Sequence, residues 1–307
     1  MIHPLLTDNP HCLRLLRSAQ VAFPVTDSPW DDLAEGLGLS RGELEAAYSV
    51  LLDEGLIDGL WLEPNPVYPF CLERLAASAA PPPPDGALRW RGASGGRHLA
   101  SRLWLSEPEE AQGFDGTEVR SVQWFKAGFL PDLTLPEGEN LLAAAQDRSM
   151  SVEGQPPEDP DFTEDHQAIW KELAAPLALP AGEDPWAAVA ARTDLSPDRA
   201  RRGVMENIVA KRARRLALRP VLARLGWRGT GLACWTLTAE DAPKAAAALA
   251  RCAGVGDVCL RQSLSTWPSN LCALFLGREA GTGLAAAEAA SAKWGRKITA
   301  WYDLELT

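Results

Sequence analysis

Ten of the residues between Arg199 and Arg228 are basic: Arg199, Arg201, Arg202, Lys211, Arg212, Arg214, Arg215, Arg219, Arg224 and Arg228. One, Glu206, is acidic. That window carries +9 in a chain of net charge −11, which leaves −20 on the remainder. Positive charge concentrated on an acidic protein implies a polyanionic partner at one place. Two partners fit. Nucleic acid would be met by Arg199, Arg201 and Arg202 on a recognition helix. A small polycarboxylate would be gripped by guanidinium forks, which pair with carboxylates in bidentate geometry.

Other chemistries are poorly represented. The four histidines, His3, His11, His98 and His166, include no helical metal-binding pair, so a protein-built metal centre is not expected. The six cysteines, Cys12, Cys71, Cys234, Cys252, Cys259 and Cys272, have neither CxxC nor zinc-knuckle spacing and read as buried reduced thiols. Gly92-Ala93-Ser94-Gly95-Gly96 matches GxSxG in letters only and reads as flexible linker. P-loop, GxGxxG and HExxH motifs are absent.

The 307 residues suit two or three domains of roughly 100–150 residues each. A composition of 46% hydrophobic and 23% charged residues is that of a globular chain. No apolar run approaches the roughly 20 residues of a spanning helix, and no signal peptide is visible, so a cytoplasmic protein without membrane contact is expected.

The elements that must position these residues come from an internal repeat. Phe23-Pro24 through Pro29-Trp30 matches Leu179-Pro180 through Pro185-Trp186, and Leu39-Ser40 matches Leu195-Ser196, all at an offset of 156. Each copy reads as a helix, a second helix with Pro in its first turn, a turn, and a third helix capped by Ser. An extended segment follows, the order of a winged helix-turn-helix. In the second copy, Gly231–Thr238, Ala239–Ala253, Val255–Leu264, Leu271–Arg278, Gly283–Trp294 and Ile298–Leu306 give the β-α-β-β-α-β order of a ferredoxin-like unit. The first copy is eroded there. It offers strands near Leu99–Leu105, Val119–Phe125 and Leu130–Leu135, a short helix near Leu141–Asp147, and a Pro-rich linker at Pro81–Pro84. The expected class is α+β, with winged helices at 1–66 and 161–228 and ferredoxin-like domains at 67–152 and 229–307.

A winged helix followed by a ferredoxin-like domain is the plan of AsnC/Lrp regulators. This chain more closely resembles a branch of them, the siroheme decarboxylases. Arg214-Arg215-Leu216-Ala217 through Leu225-Gly226-Trp227 resembles that family's wing, and Cys234-Trp235 the end of its first strand. Trp267-Pro268-Ser269-Asn270-Leu271 resembles its Trp-Pro-Tyr-Asn-Leu hairpin, and Ala273–Arg278 the strand ending in His-Gly-Arg. The likeness spans 161–307 well and 10–66 moderately. Two family histidines fall near Leu222 and Leu260, which are aliphatic here.

The resemblance implies removal of ring acetate carboxyls from siroheme to give didecarboxysiroheme, in haem d1 or haem biosynthesis. The iron tetrapyrrole is then substrate, and no added cofactor is expected. His98, Arg214 and Arg215 become the candidate catalytic residues, with water or Tyr302 as other proton sources. Arg212, Arg219, Arg224, Arg261, Trp267 and Asn270 become candidate substrate-binding residues. Homologous decarboxylase subunits are possible partners, and a tetrapyrrole-binding partner without activity is a further reading. DNA is disfavoured, because the third helix of copy one carries Glu43, Glu45, Asp53 and Glu54 against Arg41 alone.

Overall fold

The computed structural model describes residues 3–65, 71–78, 88–94, 97–105, 117–119, 121–126, 150–151, 162–252, 254–263 and 268–305, with the backbone alone between 71 and 151. Two units result. One joins residues 2–65 to 156–225, the other joins 66–155 to 226–307.

In the first unit, α1 (Pro4–Asp8), α2 (Pro10–Ala19), α3 (Pro29–Leu37) and α4 (Arg41–Asp53) lead into strand β1 (Ile57–Pro64). Residues 162–225 supply α5 (Glu164–Leu173), α6 (Pro185–Thr193), α7 (Pro197–Val209) and strand β8 (Ala213–Pro220). The bounds of α3, α4 and β1 reappear at α6, α7 and β8 with the 156-residue offset unchanged. The reasons are local. Pro29 and Pro185 occupy the first turn of their helices, where the missing N–H costs nothing. Ser40 and Ser196 each accept the N–H three residues on. Gly38 and Gly55 have left-handed φ of 62° and 63°, and their counterparts Asp194 and Lys211 adopt 57° and 59°. Leu44, Ala47, Tyr48 and Leu51 form the buried stripe of α4; Ala200, Gly203, Val204 and Asn207 repeat it in α7.

The two copies are joined as a symmetric pair. Strand β1 lies antiparallel to β8, with Leu60 opposite Leu218, Trp61 opposite Ala217 and Leu62 opposite Leu216. Ala217 is the repeat counterpart of Trp61, so the local twofold passes through that pair. The expected wing strand is therefore completed by the other copy. Trp30 Nε1 donates to the Glu183 carbonyl at 2.8 Å, and Trp186 Nε1 donates to the Thr26 carbonyl at 2.7 Å. Each copy thus plugs its Pro-Trp into the other's preceding loop. Gly59, at φ 136°, lies against the Leu177 carbonyl, which a Cβ would overlap.

Tyr48 is buried, edge-on to Trp30 at 4.9 Å, and burial pushes its phenol up to about 12. The folded state then holds its proton more tightly than the unfolded chain, whose phenol titrates near 10. This contribution to stability is complete below pH 10 and is lost as pH rises through about 12. Alkaline unfolding of Tyr48→Phe should show a weaker loss over that interval than the parent.

The second unit is built on one ladder. Its later part runs β9 (Gly231–Trp235), α8 (Asp241–Ala250), β10 (Val255–Arg261), β11 (Leu271–Phe275), α9 (Thr282–Lys293) and β12 (Ala300–Glu305), in sheet order β12-β9-β11-β10. Ala233, Trp235, Val258, Leu271, Ala273 and Phe275 pack with Ala245, Ala246, Leu249, Ala287 and Ala290 of the helices. The alanines let helix and sheet approach closely, and Trp235 fills the remaining space, donating to Ser291 Oγ at 2.8 Å.

Its earlier part contributes β2 (Cys71–Ser78), β3 (Leu88–Ser94), β4 (Arg97–Leu105), β5 (Thr117–Val119), β6 (Ser121–Lys126) and β7 (Met150–Ser151). Strands β5-β2-β4-β3 follow the same order as β12-β9-β11-β10 when each is counted along its own copy. Strand β12 pairs with β9 through Ala300–Asp303 and with β3 through Asp303–Glu305. Strands β5 and β6 behave alike: β5 pairs with β2, and β6 with β10. Strand β12 thus joins the later strands to β3, and β6 joins the earlier ones to β10.

Three expectations change. Gly92-Ala93-Ser94 belongs to strand β3, paired with His98 and Leu99 of β4, rather than to a flexible linker. Cys71–Ser78 is a strand where none was expected. The segment Val119–Phe125 divides between β5 and β6. Pro81–Pro84, Leu130–Leu135 and Leu141–Asp147 lie outside the described residues.

Candidate functional site

The candidate residues fall in both units. Arg212, Arg214, Arg215, Arg219 and Arg224 belong to the first. His98, Arg261 and Asn270 belong to the second.

Strand β8 places the arginines, and β1 meets them with acids. Glu63, opposite Arg215 in register, is bound by both neighbours: Arg214 Nη1 reaches Oε1 at 3.1 Å, and Arg215 Nε donates to Oε2. All three side chains are largely buried. Arg219 Nε lies 3.6 Å from Asp58, and its guanidinium sits over Trp61, 5.6 Å from the ring centre. Burial pulls Arg219 below the ordinary guanidinium value more than Asp58 raises it. Burial likewise raises Asp58 against the pull of Arg219. Arg212 is 1% exposed and stacks on Phe162 at 5.1 Å. Arg224 is exposed to solvent. Arg214 and Arg215 thus share a carboxylate in a largely buried setting, where charge-assisted bonds are stronger than in water.

Glu63, Asp58 and Trp61 were missing from the expected site. Their roles follow from the β1–β8 register, which brings together residues about 150 positions apart.

In the second unit, Arg261 ends β10. It is buried, and its Nε donates to Cys259 Sγ at 3.2 Å. Cys234, Cys272 and Cys259 stand opposite one another on β9, β11 and β10, and the Cys272 and Cys234 sulfurs are 3.6 Å apart. All three are buried free thiols. Among the described residues, no group of three or more His, Cys, Asp or Glu is placed to hold a metal ion.

Asn270 clamps the backbone. Its Nδ2 donates to the Leu237 carbonyl at 2.8 Å, and its Oδ1 accepts the Leu237 N–H at 2.9 Å. This reciprocal pair occupies one donor and one acceptor of the amide expected to face ligand. Asn270→Ala should lower stability by about 1–3 kcal/mol, since the two part-buried bonds are each worth about 0.5–1.5 kcal/mol. A melting curve unchanged from the parent would remove the clamp reading. Trp267 lies outside the described residues. His98 is described by its backbone, opposite Ser78 and Ala93. Tyr302, half-buried on β12, faces Leu232.

The third helices bear on the nucleic-acid reading. Arg199 pairs with Asp165 at 2.5 Å, and Arg201 with Asp27 at 2.9 Å. In copy one, Arg41 is shared by Glu45 and Asp31. These pairs are partly exposed, and exposed ion pairs are weak, about 0–1 kcal/mol each.

The architecture is α+β, with helical repeats and a shared ladder. It is the fold of solved siroheme decarboxylase structures. The crystal structure of the siroheme decarboxylase NirDL aligns at a TM-score of 0.60 and 14% identity, over 96% of this chain and 90% of that one. The same enzyme in complex with an iron-uroporphyrin III analogue aligns at 0.59, with the same identity and coverage. The sequence matches no family model and no curated protein. The likeness to these structures is one of fold. No helix among the described residues is long and apolar enough to cross a membrane.

Proposed function

We propose that this chain is a siroheme decarboxylase-like lyase in which two AsnC/Lrp-like copies, each a winged helix and a ferredoxin-like half, are fused into one working unit. The observation that carries this is likeness to NirDL over nearly the whole of both chains. Two features support a tetrapyrrole as ligand. The relative was solved with an iron-uroporphyrin analogue. The wing strand holds guanidinium groups in semi-buried positions suited to ring carboxylates.

In the proposed reaction an acetate carboxylate leaves as CO2, its bonding electrons pass into the macrocycle, and a proton is delivered to the new methyl carbon. Arginines grip and partly desolvate the carboxylates, but they keep their charge and are poor proton donors. The proton is assigned to His98, Tyr302 or water. The iron belongs to the substrate, and no resident cofactor is needed. On this reading the protein acts in the cytoplasm.

Anaerobic incubation with siroheme, followed by mass measurement of the tetrapyrrole, tests the proposal. Loss of one or two CO2 is the expected result. An unchanged mass with a bound spectrum would identify a tetrapyrrole-binding partner without activity. Absence of binding, together with a salt-dependent shift of duplex DNA, would identify a regulator.

A mutant pair separates the classes further. Arg214→Ala with Arg215→Ala should weaken siroheme binding more than tenfold, since charge-assisted bonds are worth about 1.5–3 kcal/mol each. Arg199→Ala with Arg201→Ala should leave binding nearly unchanged. A DNA reader requires the opposite order. Affinity is measured well below the melting transition, because the first pair of changes also strands Glu63.

A further inference from the structure

We infer that the outer face of α7 is a self-association surface that docks on the outer face of α4 of a second copy of this chain. Met205 and Val209 are the exposed large hydrophobic residues among those described, at 40% and 72%. They lie four apart, with Arg202 one turn before Met205, so the three form one stripe on α7. Lys211 extends its basic character just beyond the helix.

The repeat shows what this face has become. The positions equivalent to Arg202, Met205 and Val209 in copy one are Ala46, Ser49 and Asp53 of α4. One helix face thus exists in two forms on the same chain. Copy two presents large apolar groups with Arg202 and Lys211, beside Glu206, which is paired with His166. Copy one presents small groups with exposed Glu43, Asp53 and Glu54 nearby. With the helices antiparallel, Arg202 meets Asp53, Met205 covers Ser49, Val209 covers Ala46 and Lys211 approaches Glu43. Bulk then meets space, and each cation meets an acid.

Charge complementarity selects this occupant. The acidic face is present on every molecule at the same concentration as the basic one. Nucleic acid fits less well, because apolar side chains stand at the centre of the α7 stripe while Arg199 and Arg201 are held by Asp165 and Asp27. Donor and acceptor faces differ, so the contact is heterologous.

Sedimentation of the full chain at low and high salt tests the inference. Association should be measurable at about 20 mM salt and weaken at least tenfold in about 0.5 M salt, where the screening length is only a few ångströms. Val209→Asp with Arg202→Glu should abolish it, and so should Asp53→Arg. Mixing those two variants restores one intact donor and one intact acceptor, and heterodimers should form. A chain that stays monomeric at low salt overturns the inference. So does association that survives either variant, or failure of the mixture to pair when each variant melts like the parent. Binding of duplex DNA by a monodisperse protein, lost with Arg202→Glu, would assign the face to nucleic acid instead. Siroheme turnover is read separately, and its outcome leaves this result untouched.

Discussion

Replacing Glu63 by Ala should destabilise the helical unit by about 3–5 kcal/mol, the usual effect of removing one partner from a buried ion pair. Glu63 pairs with both guanidinium groups, and all three side chains are largely buried. Its removal takes a shared carboxylate from Arg214 and Arg215. Glu63→Gln keeps the shape and the acceptor oxygen but removes the charge, so it should recover part of the loss. Thermal melting of the two variants distinguishes the effects. Equal and small shifts would show that water already screens the cluster. The proposed ligand supplies a further test. Its carboxylates would replace the missing charge, so siroheme should stabilise Glu63→Ala more than it stabilises the parent.

Trp30→Ala should cost a similar amount, about 3–5 kcal/mol, as expected for a fully buried aromatic. Trp30 packs edge-on to Phe23 at 5.2 Å and to Tyr48 at 4.9 Å, and its indole N–H bridges to Glu183 of the second copy. Truncation opens a cavity and strands a carbonyl at the junction of the repeats. Trp186→Ala removes the reciprocal bond to Thr26. The double variant should show non-additive losses, because both residues hold the same junction. Independent losses on denaturant unfolding would mean that the copies are held chiefly by the β1–β8 ladder.

Local rules made much of the helical part legible. Pro-Trp, Leu-Ser and the intervening apolar spacing depend on caps, first-turn prolines and helical periodicity, all of which act within a few residues. They placed the starts of α3, α4, α6 and α7 at the prolines and serine caps. The alanine-rich crossovers and the alternating strands of 231–305 were readable for the same reason. The eroded half was not. Strand β3 contains Gly92 and Ser94, poor local strand formers, and it exists because β4 and β12 pair on either side. Cys71–Ser78 carries mixed polarity and is held between β4 and β5.

The site divides along the same line. A run of ten cations and one acid is a property of the sequence, and it established that some anion is bound or neutralised there. Which anion each cation meets depended on long-range register. Glu63 reaches Arg214 and Arg215, Asp58 reaches Arg219, and Asp165 and Asp27 reach Arg199 and Arg201. The hairpin Asn270 likewise reads from sequence as a ligand-facing tip, and its bonds to Leu237 are visible only in the fold. Composition, caps and periodicity are written into neighbouring residues, so the sequence alone determined the duplication, the helical repeats and the charge asymmetry. Pairing between distant strands costs loop entropy and is decided by the whole chain, so only the tertiary structure settled the cross-copy ladders and the partners of each arginine.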